Sequence, residues 1–278
     1  MQVQRIDAHH HLWRYVPEEY PWMESGMQAL HRDYLLEDLA QVTQAAGVTG
    51  TVAVQARQST VETEWLSGLA AGSDLIRGVV GWAPLIDADV REYLERISSM
   101  PKVKAVRHVL HDEPDDLYML REDFNRGVSH LKDLGLRYDL LIREGHLRQT
   151  IEFVDRHPGQ IFILDHVAKP LIKERTFSPW RENMRELARR GNVYCKLSGM
   201  TTEADWSSWR DGDLMPYFDI ALETFGPARS MFGSDWPVLN LACSYERWMM
   251  FVERAVIGLS PHERGQVLSS TAVEAYGL

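Results

Sequence analysis

The stretch Ile6-Asp7-Ala8-His9-His10-His11 decides how this chain folds. It continues a short apolar segment, Val3–Ala8, and ends in three consecutive histidines. A doubly wound α/β protein would carry a glycine-rich phosphate turn after its first strand. Histidines stand there instead, as expected of a barrel, where the C-terminal ends of the strands collect the reactive side chains. Side chains alternate along a strand, so His9 and His11 share a face, Asp7 lies one layer deeper on it, and His10 points away.

Seven further short apolar, β-branched segments follow: Thr49–Gln55, Arg77–Pro84, Val103–Leu110, Arg137–Ile142, Ile161–Asp165, Val193–Leu197 and Ser230–Gly233. Segments of helical period alternate with them. They are Leu36–Ala46, Asp89–Met100, Asp123–Leu134 with Gly135 as its stop, His146–His157, Pro179–Arg190, Leu214–Phe225, Ser244–Ile257 and His262–Ala275. The alternation predicts one α/β domain over residues 1–278, a (β/α)8 TIM barrel. The length of 278 residues suits such a barrel, which needs roughly 250.

Composition narrows the partners. A chain that is 45% hydrophobic and 25% charged is not largely disordered. With 30 Lys and Arg against 40 Asp and Glu, the net charge of -10 argues against nucleic acid and anionic membranes. Two cysteines, Cys195 and Cys243, make no disulfide framework. No basic-then-apolar leader opens the sequence, and no run nears the roughly 20 apolar residues of a membrane span, so a cytoplasmic location is expected. No feature specifies an oligomeric state.

The strand ends carry the candidate chemistry. His9 and His11 can chelate a divalent metal or donate hydrogen bonds to a carbonyl oxygen; alternatively they belong to a run of surface histidines. His166 ends the sixth strand and gains weight because a barrel brings it to the same mouth. Asp235 ends the eighth, where it can act as general base, ligate a metal, or cap the next helix. That helix starts near Ser244, too far on for a direct cap. Arg107, His108, Arg143 and Lys196 complete a cationic ring, and Arg107 and His108 must point in opposite directions. Gly233-Ser234-Asp235 lacks the G-x-S-x-G spacing of a serine nucleophile.

These residues carry a resemblance. Asp7-x-His9-x-His11, His166 and Asp235 resemble the amidohydrolase superfamily. The segments IDAHHHLWRY (6–15), YPWM (20–23), VRHVLHDEPDD (106–116), DLLIREGHL (139–147), LDHVAKP (164–170), KLSGM (196–200) and MFGSDWPV (231–238) resemble its sugar-lactonase branch. The resemblance implies a barrel that hydrolyses a neutral sugar lactone such as L-fucono-1,5-lactone. Asp235 matches the general base, and His9, His11 and His166 match groups around the carbonyl or a metal. The fifth strand ends Leu141-Ile142-Arg143 and the fourth ends in His108, so neither supplies the extra ligand of a binuclear centre. One divalent metal, zinc, held by His9, His11 and Asp235 is compatible with the pattern but not required by it. A mononuclear zinc decarboxylase or hydratase of the same superfamily is the alternative; it would need clustered arginines at the mouth.

Nine tryptophans are unusual. Trp13, Trp22, Trp82, Trp206, Trp209 and Trp236 fall at strand ends or in the loops of the catalytic face, whereas Trp65, Trp180 and Trp248 fall on helices. Indole faces stack on sugar C–H faces. Trp13, Trp82 and Trp236, with His108 and Arg143, are therefore the expected substrate contacts.

Overall fold

A computed structural model describes residues 4–278. Eight strands form one sheet: β1 (Ile6–His10), β2 (Gly50–Val54), β3 (Ile76–Gly81), β4 (Val103–Val109), β5 (Arg137–Leu141), β6 (Phe162–Leu164), β7 (Val193–Leu197) and β8 (Ser230–Phe232). They run in sequence order, every neighbour parallel. The sheet closes just past β8, where Asp235 N–H donates to His9 O at 2.8 Å and His11 N–H to Trp236 O at 2.6 Å. Among the expected first-strand residues, Val3 lies outside the described residues.

Helices cover the outside: α1 (Leu36–Ala45), α2 (Thr60–Ala71), α3 (Val90–Ser98), α4 (Glu122–Ser129), α5 (Leu147–Arg156), α6 (Trp180–Leu187), α7 (Asp211–Phe225) and α8 (Tyr245–Ala255). The chain ends in α9 (Pro261–Gly265), a π-helical turn (Gln266–Ser270) and α10 (Thr271–Tyr276). The expected helix Asp123–Leu134 ends early at Ser129, and a 3-10 turn (Lys132–Leu134) runs on to Gly135 at φ +69°. The sequence predicts no helix where α2 stands. Its buried face, Glu62, Thr63, Leu66, Ser67 and Ala70, is mostly polar, so its apolar periodicity is weak. Among the described residues no helix is long and apolar enough to cross a membrane.

Two apolar layers follow from strand alternation. Outward residues such as Ala53, Val79, Val106, Tyr138, Phe162 and Phe232 pack beneath the helices. Inward residues Ile6, Ala8, Val52, Val54, Val80, Ala105, Ile163, Tyr194 and Met231 meet Ala272, Ala275 and Tyr276 of α10, which plugs one end. Asp7 departs from the position that strand alternation predicts. The register of β1 on β2 slips by one residue between Asp7 and His10, a local bulge that breaks the alternation. Asp7 therefore faces α8, where it accepts from Tyr245 Oη at 2.8 Å, rather than lying beneath His9.

Tyr276 is fully buried, and its hydroxyl donates to Asp139 at 2.6 Å. Tyr276→Phe is expected to lose the hydrogen bond to a charged group, about 1.5–3 kcal/mol. Tyr276→Ala is expected to lose about 3–5 kcal/mol by cavity formation. Urea denaturation of the two variants checks this order.

Candidate active site

Three imidazoles and one carboxylate converge at the C-terminal end of the barrel. His9 Nε2 lies 3.2 Å from His11 Nε2. Asp235 Oδ1 lies 3.4 Å from His11 Nε2 and 3.7 Å from both His9 Nε2 and His166 Nε2. All four residues are buried.

Each is placed by the backbone of its strand end. Asp235 has φ +60°, a conformation an L-residue holds only when its surroundings impose it. The barrel closure fixes its N–H. Ser234 beside it donates from N to Asp7 Oδ1 at 2.8 Å and from Oγ to His9 O at 3.2 Å. Asp235 is not a helix cap, since a 3-10 turn (Val238–Leu241) intervenes and Ser244 caps α8. His166 opens a turn whose residues His166, Val167, Ala168 and Lys169 all have positive φ. That turn is held by Trp180 Nε1 donating to Val167 O at 2.8 Å and by the Lys169–Glu203 ion pair at 2.6 Å. His11 Nδ1 faces Val54 O at 2.8 Å. A carbonyl only accepts, so the proton sits on Nδ1 and Nε2 presents its lone pair to the cluster. His10 points away, to Thr51 Oγ1 at 3.0 Å.

A buried ionic layer lies beneath. Lys196 Nζ is 2.5 Å from Asp139 Oδ2 and 2.8 Å from Asp165 Oδ1, and Arg107 Nη1 donates to Asp165 Oδ2 at 2.9 Å. Burial, reinforced by the Lys196 charge, holds His9 well below the ordinary imidazole range. Burial likewise brings His166 down to about 4, against the pull of Asp235. Burial alone would raise the Asp235 carboxyl; the imidazoles, His166 foremost, outweigh it and hold the group below the usual carboxylate range.

His11, His166 and Asp235 floor a cavity of about 520 Å³, within the roughly 300–1,000 Å³ of small-molecule sites, and His9 lies wholly buried beside them. Its wall includes Glu18, Glu19, Trp22, Arg57, Gln58, Arg107, His111, Asp112 and Lys169. The cations there are already paired: Arg57 with Glu19, Arg107 with Asp165, Lys169 with Glu203.

Several expected contacts lie elsewhere. His108 faces outward, stacked on Tyr118 at 5.1 Å, with its ring nitrogens taken by Glu113 and by Trp82 Nε1. Arg107 takes the inward position instead. Arg143 stands exposed at the rim, 4.0 Å from Asp112. Trp13 is fully buried and donates to Arg32 O. Trp236 packs edge-on against Tyr34 at 5.2 Å. Trp22 is the tryptophan in the cavity wall. Lys196 lies below the mouth, wholly buried. Lys169, His111 and Asp112 of the wall fall inside the segments LDHVAKP and VRHVLHDEPDD but belong to no metal or acid–base motif of their own. Glu18, Glu19, Arg57 and Gln58 come from loops that carry no periodic signal.

The donor set suits a single divalent cation. Donors about 2.0–2.1 Å from a zinc ion at tetrahedral angles lie roughly 3.3–3.4 Å apart, close to the separations among His9, His11 and Asp235. His11 and Asp235 present free lone pairs, and His9 presents one when its proton sits on Nδ1. His166 stands beside them.

Gly199 shows how tightly the cluster is enclosed. Its φ is +66°, and a Cβ there would meet His166 Nδ1, Cγ and Cβ at 2.5–2.7 Å. Gly199→Ala is expected to cost about 1–2 kcal/mol of backbone strain. It should also shift the imidazole, leaving a folded protein with activity reduced at least tenfold; thermal melting and steady-state assay check both.

A family model described as amidohydrolase matches residues 6–278. An L-fucono-1,5-lactonase of Burkholderia multivorans is 40% identical, covering 100% of this chain and 97% of that protein. An L-fucono-1,5-lactonase of Burkholderia ambifaria is 32% identical, covering 98% and 95%. Two crystal structures of an amidohydrolase from Burkholderia multivorans, one with bound HEPES and one with bound zinc, are 40% identical. Each superposes with a TM-score of 0.94 over 99% of both chains. With the eight-stranded barrel and the histidine–aspartate cluster at its mouth, these matches establish that the chain belongs to the amidohydrolase family.

Proposed function

We propose that this protein hydrolyses a neutral aldonolactone, L-fucono-1,5-lactone or a close relative, to the open hydroxy acid. One observation carries the reading: Asp235 Oδ1 sits within 3.4–3.7 Å of three imidazole nitrogens on the floor of the cavity. Its wall supports a neutral substrate. Arg57, Arg107 and Lys169 each already have a carboxylate partner, so none is free to bind a substrate carboxylate, as a decarboxylase or hydratase of carboxylated compounds would require. Glu18, Glu19, Asp112 and Gln58 offer hydrogen-bond partners to sugar hydroxyls, and Trp22 offers an apolar face.

Asp235 removes a proton from water as the water oxygen attacks the lactone carbonyl carbon. The imidazoles keep this buried carboxylate ionised, which lowers its basicity. Much of the acceleration must then come from stabilising the charge that develops on the carbonyl oxygen. N–H groups of His166, which lines the cavity, and of His9, 3.7 Å from Asp235 Oδ1, supply that stabilisation. When the tetrahedral centre collapses, the ring C–O bond breaks and Asp235 returns its proton to the departing oxygen. One water is consumed, and the product is a hydroxy acid. A divalent cation held by His11, Asp235 and His9 would add Lewis acidity toward a carbonyl oxygen and acidify water.

Asp235→Asn keeps the shape and removes the base. It is expected to lower kcat for L-fucono-1,5-lactone at least about 10²-fold with the melting temperature preserved. Near-normal turnover by the folded variant would remove Asp235 from the role. Activity should survive chelation within a few-fold, as followed by assay together with metal analysis by mass spectrometry. A hundredfold loss reversed by zinc would instead make the cation essential.

A further inference from the structure

The ring nitrogens of His9 are not free to choose their protons. Nδ1 faces two groups at the barrel centre. Lys196 Nζ approaches it at 3.0 Å in hydrogen-bonding alignment. Asp165 Oδ1 is 3.3 Å away but off the line of a ring N–H, and this oxygen has no hydrogen-bond partner. Lys196 is wholly buried; it donates hydrogen bonds to Asp139 Oδ2 and His9 Nδ1 and has Asp165 Oδ1 2.8 Å away as an ion-pair partner outside hydrogen-bonding alignment. An ammonium only donates, so His9 Nδ1 accepts and the single ring proton of the neutral imidazole sits on Nε2.

On the far side of the ring one neighbour is an acceptor and one a donor, and the acceptor is the nearer. His9 Nε2 is 3.2 Å from His11 Nε2, a lone pair because His11 Nδ1 donates to Val54 O. Arg107 Nη1 also approaches His9 Nε2, but at 3.5 Å, while making its shorter bond to Asp165 Oδ2 at 2.9 Å. The shortest contacts thus run in one direction, from Lys196 to His9, from His9 to His11, and from His11 to Val54 O, with the longer Arg107 contact alone opposing it.

We infer that Lys196 is a positioning residue: it fixes the His9 tautomer so that Nε2 presents an N–H to the reaction centre beside Asp235. The inference rests on the lactonase reading for its catalytic meaning, whereas the tautomer itself is independent of substrate. Asp139 extends the arrangement to the barrel floor, since Tyr276 of α10 donates to the same Asp139 oxygen that Lys196 holds. A cation on His9 Nε2 requires the other tautomer, with the proton on Nδ1 and Asp165 Oδ1 as its acceptor. Lys196 therefore biases the cluster toward donation by His9 and away from ligation.

The test is ¹⁵N spectroscopy of histidine-labelled, full-length protein dialysed against a chelator, with the His9 signal assigned through His9→Asn. Lys196→Met alone would strand buried carboxylates, so the informative variant is Lys196→Met/Asp139→Asn, which removes one charge of each sign. Asp139→Asn alone is the control, because it disturbs the same packing and keeps the ammonium on Nδ1. The wild type and the control should show His9 protonated at Nε2, and the double variant at Nδ1. In lactone assays the double variant should lose about 10²–10³-fold in kcat with little change in KM, and the control should stay within about tenfold of wild type. A wild-type His9 protonated at Nδ1, an unchanged tautomer in the double variant, or an equal kcat loss in the control would each overturn the assignment. Absence of lactone turnover by the wild type would sink the lactonase reading alone and leave the tautomer test standing.

Discussion

The closure of the barrel is the constraint on which the site depends. β1 does not pair with β8 along its length; the joint is made one step later, by the Asp235 N–H on His9 O and the His11 N–H on Trp236 O. The segment that completes the sheet is therefore the segment that carries the carboxylate, and its partners are the two residues that carry the imidazoles. Asp235 reaches this joint only with a positive φ. The hydrogen bonds of Ser234 to Asp7 and His9, and of Tyr245 to Asp7, hold the neighbouring backbone in place. Asp7 is fully buried, and burial raises its carboxyl to about 6 despite those hydrogen bonds.

Beneath the joint, two cations and two carboxylates share the barrel axis. Burying such charges is costly unless each has a partner, and removing one member strands the other. Here Lys196 and Arg107 meet Asp139 and Asp165, so the layer is balanced in charge. It divides the interior into an apolar end plugged by α10 and a reactive end open to the cavity. The division explains how a neutral His9 and an anionic Asp235 stand side by side. Lys196 disfavours a second positive charge on His9, while three imidazoles surround the carboxylate.

The fold was legible because its signal is local. Val193–Leu197 is found with the predicted bounds, and the other strands shift at their ends by a few residues, where pairing rather than side-chain type sets the limit. The helix α2 carried little apolar periodicity because Glu62, Thr63 and Ser67 lie on its buried face. The quartet was legible because strand ends of a barrel meet at one mouth. The slip in β1 was not, since a bulge depends on the partner strand, and it turned Asp7 toward α8. Substrate contacts were the least legible. The tryptophans near the mouth motifs pack into the wall: Trp13 spends its N–H on Arg32 O, and Trp22 reaches the cavity only because its loop folds back so that its N–H meets Ala56 O. Loop geometry of that kind has no counterpart in spacing or composition.

A cavity whose cations are already paired with carboxylates suits a neutral lactone. This preference is tested most directly by comparing wild-type kcat/KM for L-fucono-1,5-lactone with that for a dicarboxylated pyrone under the same conditions. The expected value is within the ordinary enzymatic range of about 10⁴–10⁸ M⁻¹s⁻¹ for the sugar lactone and at least a hundredfold less for the pyrone. Rapid turnover of the dicarboxylate, with no acceleration of sugar-lactone opening above the spontaneous rate, would contradict it.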